Sequence, residues 1–158
     1  MELNRALIQI LMGMIGTLGF TFLYNIRGRK LLLAVLGAGL SWSFNLILAD
    51  SIPSEPMRYF LCAALVALYG EILARKLKTP ATTFFIPTLI PHIPGGALYT
   101  TMRLALDKQW VACMEQAFYT FRLALALAMG LITVLSVFNA HGVLQRYLAS
   151  RNKEESTR

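Results

Sequence analysis

The sequence predicts an all-α integral membrane protein with about five transmembrane helices, the fourth of them broken by proline and glycine. Of its 158 residues, 56% are apolar and 15% are charged, whereas soluble domains are usually about 45–50% apolar and about 25% charged. The charged residues lie in short clusters between long uncharged runs. Because a helix needs about 20 mostly apolar residues to cross a bilayer, these runs are long enough to span it.

The same composition excludes other classes of protein. The formal charge is +7, from 15 Lys+Arg against 8 Asp+Glu. A nucleic-acid binder would gather these cations on one polar face among aromatic residues, and here they separate apolar runs, so we expect no nucleic-acid partner. Two cysteines, Cys62 and Cys113, are too few for a disulfide framework or a metal cage. We expect no metal and no cofactor.

The first predicted span covers residues 3–24. It ends before residues 27–30, where three cations in four positions are too costly to bury in hydrocarbon. The apolar part of a secretory signal is only about 7–15 residues long. This run is longer, so we expect it to remain in the protein as a span.

The second and third spans end at equally clear signals. The second covers residues 31–49 and stops at the acidic, proline-bearing link 50–56. The third covers residues 57–74 and stops at the cations within residues 75–78. Both runs are about as long as a membrane crossing requires.

The fourth segment, residues 79–102, is uncharged but contains four prolines and a Gly-Gly pair. Each internal proline removes a backbone donor and clashes with the preceding turn, so a continuous helix is excluded. A half-helix from about Gly96 through Arg103 would present free amides and a positive dipole end, which transporters aim at a substrate carboxylate. The alternative is four spans, with this segment entering the membrane and returning.

The candidate substrate-binding or gating residues all lie in this broken segment. They are Pro87, Thr88, Pro91, His92, Pro94, Gly95, Gly96 and Tyr99. A purely structural kink is the competing interpretation, because proline is common in membrane helices. His92 could carry protons near neutral pH, or it could be a hydrogen-bonded packing residue.

The fifth span covers residues 117–138 and completes a transmembrane domain of residues 1–140. Residues 141–158 form a basic tail that mixes cations with apolar side chains. We expect this tail to be a short amphipathic helix lying on the anionic inner leaflet.

Two charged residues near the membrane are candidates for proton coupling or substrate attraction. Glu71 lies four residues before Arg75, so the two share one helix face and form either an interfacial pair or part of a proton relay. Arg122 lies about one turn inside the fifth span, where it either extends to the headgroups or attracts an anionic substrate.

The basic residues also predict orientation, because cytoplasmic loops carry the excess of Lys and Arg. With five spans, ten of the fifteen cations fall on one side, which includes the link after span one, the link after span three and the tail. We therefore expect the N-terminus outside and the C-terminus in the cytoplasm.

The run from Glu71 through Tyr99 resembles the threonine/serine exporter (ThrE) family. It reads Glu-x-x-x-Arg-x-x-x-x-Pro-Ala-Thr-x-Phe-x-x-Pro-x-x-x-Pro-x-x-Pro-Gly-Gly-x-x-Tyr. More closely, the chain resembles the small-subunit, YjjB-like half of that family over about residues 5–140. The family usually has Pro-Gly-Ile at residues 87–89 and an aliphatic residue at His92.

The resemblance implies an export permease for small polar amino or carboxylic acids, typically threonine and serine, with dicarboxylates such as succinate for split relatives. It implies a larger membrane subunit of the same family as partner, with a homo-oligomer as the alternative, in the inner (plasma) membrane of a bacterial cell. We expect a secondary transporter coupled to the proton gradient. The alternative is a non-transporting assembly or scaffold subunit; an enzyme is not expected, because no nucleophile and base or metal-ligand pattern is present.

Overall fold

The structure is a computed structural model that describes the backbone of residues 3–155 and the side chains of residues 3–140. The helices are α1 (Leu3–Leu23), α2 (Arg29–Ser51), α3 (Glu55–Leu77), α4 (Thr82–Thr88), α5 (Gly95–Leu106) and α6 (Trp110–Glu155), with a 3₁₀ turn, Ile90–His92, between α4 and α5. No strand occurs in residues 3–155. The predicted all-α fold class is confirmed.

Four helices are long and apolar enough to cross a membrane: Leu3–Leu23, Arg29–Ser51, Glu55–Leu77 and Trp110–Ala140. They correspond to the first, second, third and fifth predicted spans. Large apolar side chains on these helices, such as Leu36 and Ile132, are more than half exposed. Such a surface fits contact with lipid, and the chain is a multi-pass membrane protein.

The connections form where the sequence carries turn signals. Between α1 and α2, Gly28 has φ of 64°, a conformation that costs glycine little because it lacks a Cβ. Residues 52–54 link α2 to α3 through Pro53. Lys78 ends α3 in the left-handed conformation, and its amide donates to the carbonyl of Ala74. The predicted charged and proline-bearing links are therefore the observed turns.

Small residues lie where the helices approach most closely. Ala34 and Ala38 of α2 and Ala63 and Ala67 of α3 are completely buried. A Cβ added at Gly130 of α6 would collide with the backbone carbonyl of α3 at residue 60. Helices in lipid gain little from hydrophobic burial, so this close backbone approach supplies their packing energy.

The direction of α6 determines how often the chain crosses the bundle. Tyr119 donates a hydrogen bond to Glu55 at the start of α3, and the Phe138 ring centroid lies 4.4 Å from the guanidinium carbon of Arg75 near the end of α3. Both helices advance about 30 Å between these contacts. Because α6 runs parallel to α3, the chain between them must return from one end of the bundle to the other.

The broken segment makes that return crossing. Phe85 of α4 packs beside Gly70 in the second half of α3, and the His92 ring lies 6.0 Å from that of Tyr59 in its first turns. The segment therefore runs antiparallel to α3. This arrangement favours five crossings over the re-entrant alternative, which would place α6 antiparallel to α3.

The ends of α6 differ from the sequence prediction. It begins at Trp110 instead of residue 117 because α5 folds back on its first turns, with Thr101 and Thr120 hydroxyls 3.2 Å apart. Its backbone continues as one helix through Glu155, so residues 141–155 prolong α6 and do not form a separate short helix. The predicted contact of this tail with the inner leaflet concerns side chains outside the described residues.

Gly130→Ala should destabilise the protein, whereas Gly16→Ala should not. The added methyl group at Gly130 meets a backbone carbonyl that cannot rotate away, and at Gly16 it meets nothing within 4 Å. We expect Gly130→Ala to lower the free energy of unfolding in detergent by about 1–3 kcal/mol. Gly16→Ala should leave it unchanged or raise it by up to about 1 kcal/mol. Equal losses in both variants would contradict the close α3–α6 contact.

Candidate functional site

The prolines divide the return crossing into three pieces, so the predicted break in the fourth segment is observed. Pro87 lies inside α4, Pro91 inside the 3₁₀ turn, and Pro94 at the N-cap of α5. The half-helix α5 begins at Gly95, one residue before the predicted start. The Gly95 amide donates to the Ile93 carbonyl at 2.6 Å, and the next bond to the preceding backbone runs from the Leu98 amide to the Pro94 carbonyl at 3.0 Å. The Gly96 and Ala97 amides lie between these two bonds, so they belong to the unsatisfied helix start.

The middle of the crossing is enclosed by α2 and α3. Phe84, Pro87 and Thr88 are buried, and the Thr88 hydroxyl donates to the Ala34 carbonyl of α2 at 3.2 Å. On the α3 side, a Cβ at Gly70 would lie 3.1 Å from Cβ of Phe85. Glycine at residue 70 therefore allows α4 to approach α3 closely.

His92 is completely buried at the end of the 3₁₀ turn. Both its ring nitrogens lie 3.4 Å from the Ser41 hydroxyl. The Trp42 and Tyr59 rings meet it edge-on, with centroids 5.4 Å and 6.0 Å away. We call Ser41, Trp42, Tyr59 and His92 the His92 layer. These side chains come from α2, α3 and the crossing, and they fill the interior of the bundle at this level.

A first cleft opens where the crossing begins, and we call it the Arg27 cleft. It has a volume of about 540 Å³ and is lined by residues 24–27, Lys30, Thr79, Thr82, Thr83, Ile86 and Pro87. Its charged side chains are the cations Arg27 and Lys30, and three threonines add hydroxyl groups. The cleft is therefore suited to an anionic group.

A second cleft, the Glu55 cleft, opens on the other side of the His92 layer. It has a volume of about 480 Å³ and is lined by Trp42, Glu55, Tyr59, Pro91, residues 93–97, Thr100, Gln116, Tyr119 and Leu123. Its charged side chain is Glu55, which accepts a hydrogen bond from Tyr119. The two clefts thus differ in sign of charge, and the broken crossing lines both.

The structure places the sequence-predicted residues in four groups. Pro91, Pro94, Gly95 and Gly96 meet in the Glu55 cleft. Pro87 lines the Arg27 cleft, and Thr88 and His92 are buried between the clefts. Tyr99 is 67% exposed on α5 and lines neither cleft.

The two predicted charge candidates also lie away from the clefts. Glu71 Oε2 is 3.7 Å from Nε of Arg75, the pair expected from their spacing. Arg122 lies on the exposed face of α6. Neither residue lines the Arg27 cleft or the Glu55 cleft.

Sequence reasoning missed Glu55 and Tyr119. In the sequence, Glu55 lies in the link after the second predicted span and Tyr119 lies in the fifth, and 64 positions separate them. No local pattern joins them, because their contact depends on α6 running parallel to α3. Within residues 3–140, no group of three His, Cys, Asp or Glu side chains could hold a metal ion.

Comparison with known proteins gives one match. The sequence model of the family described as "Threonine/Serine exporter, ThrE" matches residues 9–137. No curated protein and no solved structure matches the chain.

The two clefts should be accessible from opposite faces of the membrane. In a chain carrying Cys113→Ala, with Cys62 buried, single Thr82→Cys and Thr100→Cys variants test the Arg27 and Glu55 clefts. An impermeant thiol reagent should label Thr82→Cys from the cytoplasm and Thr100→Cys from outside. The control Thr88→Cys should react from neither face, because Thr88 is 1% exposed. Labelling of both cleft positions from one face would contradict five crossings.

Proposed function

Because the chain belongs to the threonine/serine exporter family, we propose that it exports threonine, serine or a similarly small polar acid along its broken crossing. The observation that carries this proposal is the pair of clefts on opposite sides of the buried His92 layer. Transporters build substrate sites from interrupted helices near the middle of the membrane, where irregular backbone lines a cavity. The substrate would enter through the Arg27 cleft and leave through the Glu55 cleft.

The His92 layer would act as the barrier between the two clefts. Thr88 and His92 are buried between the two clefts, so the layer would have to move for a substrate to pass from one cleft to the other. The crossing is the element best suited to move, because Pro87, Pro91 and Pro94 divide it into short pieces. Shifting it against α2 and α3 would open one cleft while closing the other, which is alternating access.

We propose that the chain works as the small subunit of a larger exporter. Alternating access usually requires two bundles that move against each other, and this chain supplies one small bundle. The exposed side chains of α5 and the start of α6, including Tyr99, Leu106 and Val111, would offer a surface to a larger subunit of the family or to a second copy. An assembly or scaffold role would not require a broken crossing.

Proton coupling would involve His92 in preference to Glu71. His92 is completely buried in the crossing, in contact with Ser41, Trp42 and Tyr59. Glu71 is held by Arg75 away from both clefts. A histidine in contact with water gains and loses its proton near neutral pH, so His92 would be able to take up a proton when the layer opens to a cleft.

Gly96→Leu should slow export without unfolding the protein. A Cβ at Gly96 meets nothing within 4 Å, and the longer side chain would occupy part of the Glu55 cleft. We expect efflux of labelled serine from cells to slow about tenfold, equivalent to about 1.4 kcal/mol. Gly19→Leu is the matched control, because Gly19 is equally open and lies outside both clefts. Normal efflux by a correctly inserted Gly96→Leu protein would refute the assignment of this cleft.

His92→Gln should uncouple export from the pH gradient. Glutamine retains hydrogen-bonding groups but does not titrate near neutral pH. The measurement is the rate of serine efflux from proteoliposomes, divided by the rate of serine exchange of the same protein. We expect an imposed pH gradient to raise this ratio for the wild type and to have little effect on it for the variant. Glu71→Gln should respond to the gradient like the wild type. If the pH gradient accelerates efflux through His92→Gln but not through Glu71→Gln, proton coupling belongs to Glu71 and not to His92.

A further inference from the structure

The two clefts contain side chains of opposite charge. The Arg27 cleft holds two cations, Arg27 and Lys30, whereas the charged side chain lining the Glu55 cleft is an acid. An anionic substrate would be attracted by the first and repelled by the second. A substrate that carries both charges would find an opposite charge in each cleft.

From this, we infer that Glu55 selects substrates carrying an α-ammonium group, so that the Glu55 cleft favours zwitterionic amino acids over dicarboxylates and hydroxy acids. The inference rests on the proposed export function and names the residue that distinguishes its substrates. A charged hydrogen bond between an ammonium group and a carboxylate is stronger than one between neutral groups. A carboxylate brought near Glu55 would instead meet like charge.

The surroundings of Glu55 leave it able to bind such a group. Its carboxylate accepts one hydrogen bond from Tyr119, and an ionised carboxylate has room for about four. Glu55 is partly buried at the first position of α3, so its charge is less screened than that of a fully exposed acid. The same cleft is walled by the bare backbone of Gly95 and Gly96, which leaves space for the rest of a small amino acid.

Glu55 also has a structural role that an experiment must separate from recognition. The hydrogen bond from Tyr119 joins α3 to α6, and an acid in the first turn of a helix interacts favourably with its dipole. Glu55→Gln preserves the side-chain length and an oxygen that can accept from Tyr119, and it removes only the charge. A purely structural effect would therefore change the handling of all substrates alike.

The test compares serine with glycerate, which has a hydroxyl group in place of the ammonium group. Proteoliposomes would hold the full chain together with any chains that co-purify, and equilibrium exchange would give the KM of labelled serine and the inhibition constant of glycerate. In Glu55→Gln, we expect the ratio of serine KM to glycerate inhibition constant to rise about tenfold or more. Serine would lose its partner, and glycerate would lose a repulsive charge.

Asp50→Asn is the matched control. Asp50 is an exposed acid at the same end of the bundle, and it lines a separate depression with Leu3 and Ala6. This variant should keep the wild-type ratio. The role of Glu55 is overturned if its variant leaves the ratio unchanged within about threefold, or if Asp50→Asn changes the ratio equally. Wild-type protein that exchanges glycerate but neither serine nor threonine would overturn the role of Glu55 and leave the proposed function standing. Wild-type protein that exchanges none of these small polar acids would overturn the proposed function itself, and the role of Glu55 with it.

Discussion

The structure depends on one constraint: the backbone of a broken helix must find hydrogen-bond partners where water is absent. The return crossing meets it partly by local turns, in which the amides of Leu89, His92 and Ile93 donate to carbonyls three or four positions earlier. The surrounding helices complete the enclosure, and the Thr88 hydroxyl bonds to α2. Irregular backbone is therefore tolerated because α1, α2 and α3 surround it.

The same enclosure explains the use of small residues. Gly70 lets α4 approach α3, and Gly130 lets α6 approach α3 from another side. Because α3 contacts both α4 and α6, the middle of the crossing lies inside the bundle. Its two ends line the Arg27 cleft and the Glu55 cleft. Packing and function are linked here, because the residues that seal the middle of the crossing also separate the two proposed halves of the substrate path.

Much of the architecture could be predicted because its signals are local. Uncharged runs gave the four long helices to within a few residues, except at α6, where α5 stabilises an earlier start. The density of proline predicted the break, and Gly95 begins the half-helix where Gly96 was expected. The site was predicted less completely, since Tyr99 lines neither cleft and Glu55 lies in a link of the sequence whose contacts no local pattern predicts.

By itself, the sequence determined that this chain lies in a membrane, that its fourth crossing is broken, and which family it resembles. These follow from hydropathy, proline chemistry and a local motif, all of which act over short stretches of chain. Only the tertiary structure decided that α6 runs parallel to α3, that His92 is sealed between α2 and α3, and that Glu55 meets Tyr119 in a cleft. Those features depend on contacts between residues distant in sequence, which arise only when whole helices pack.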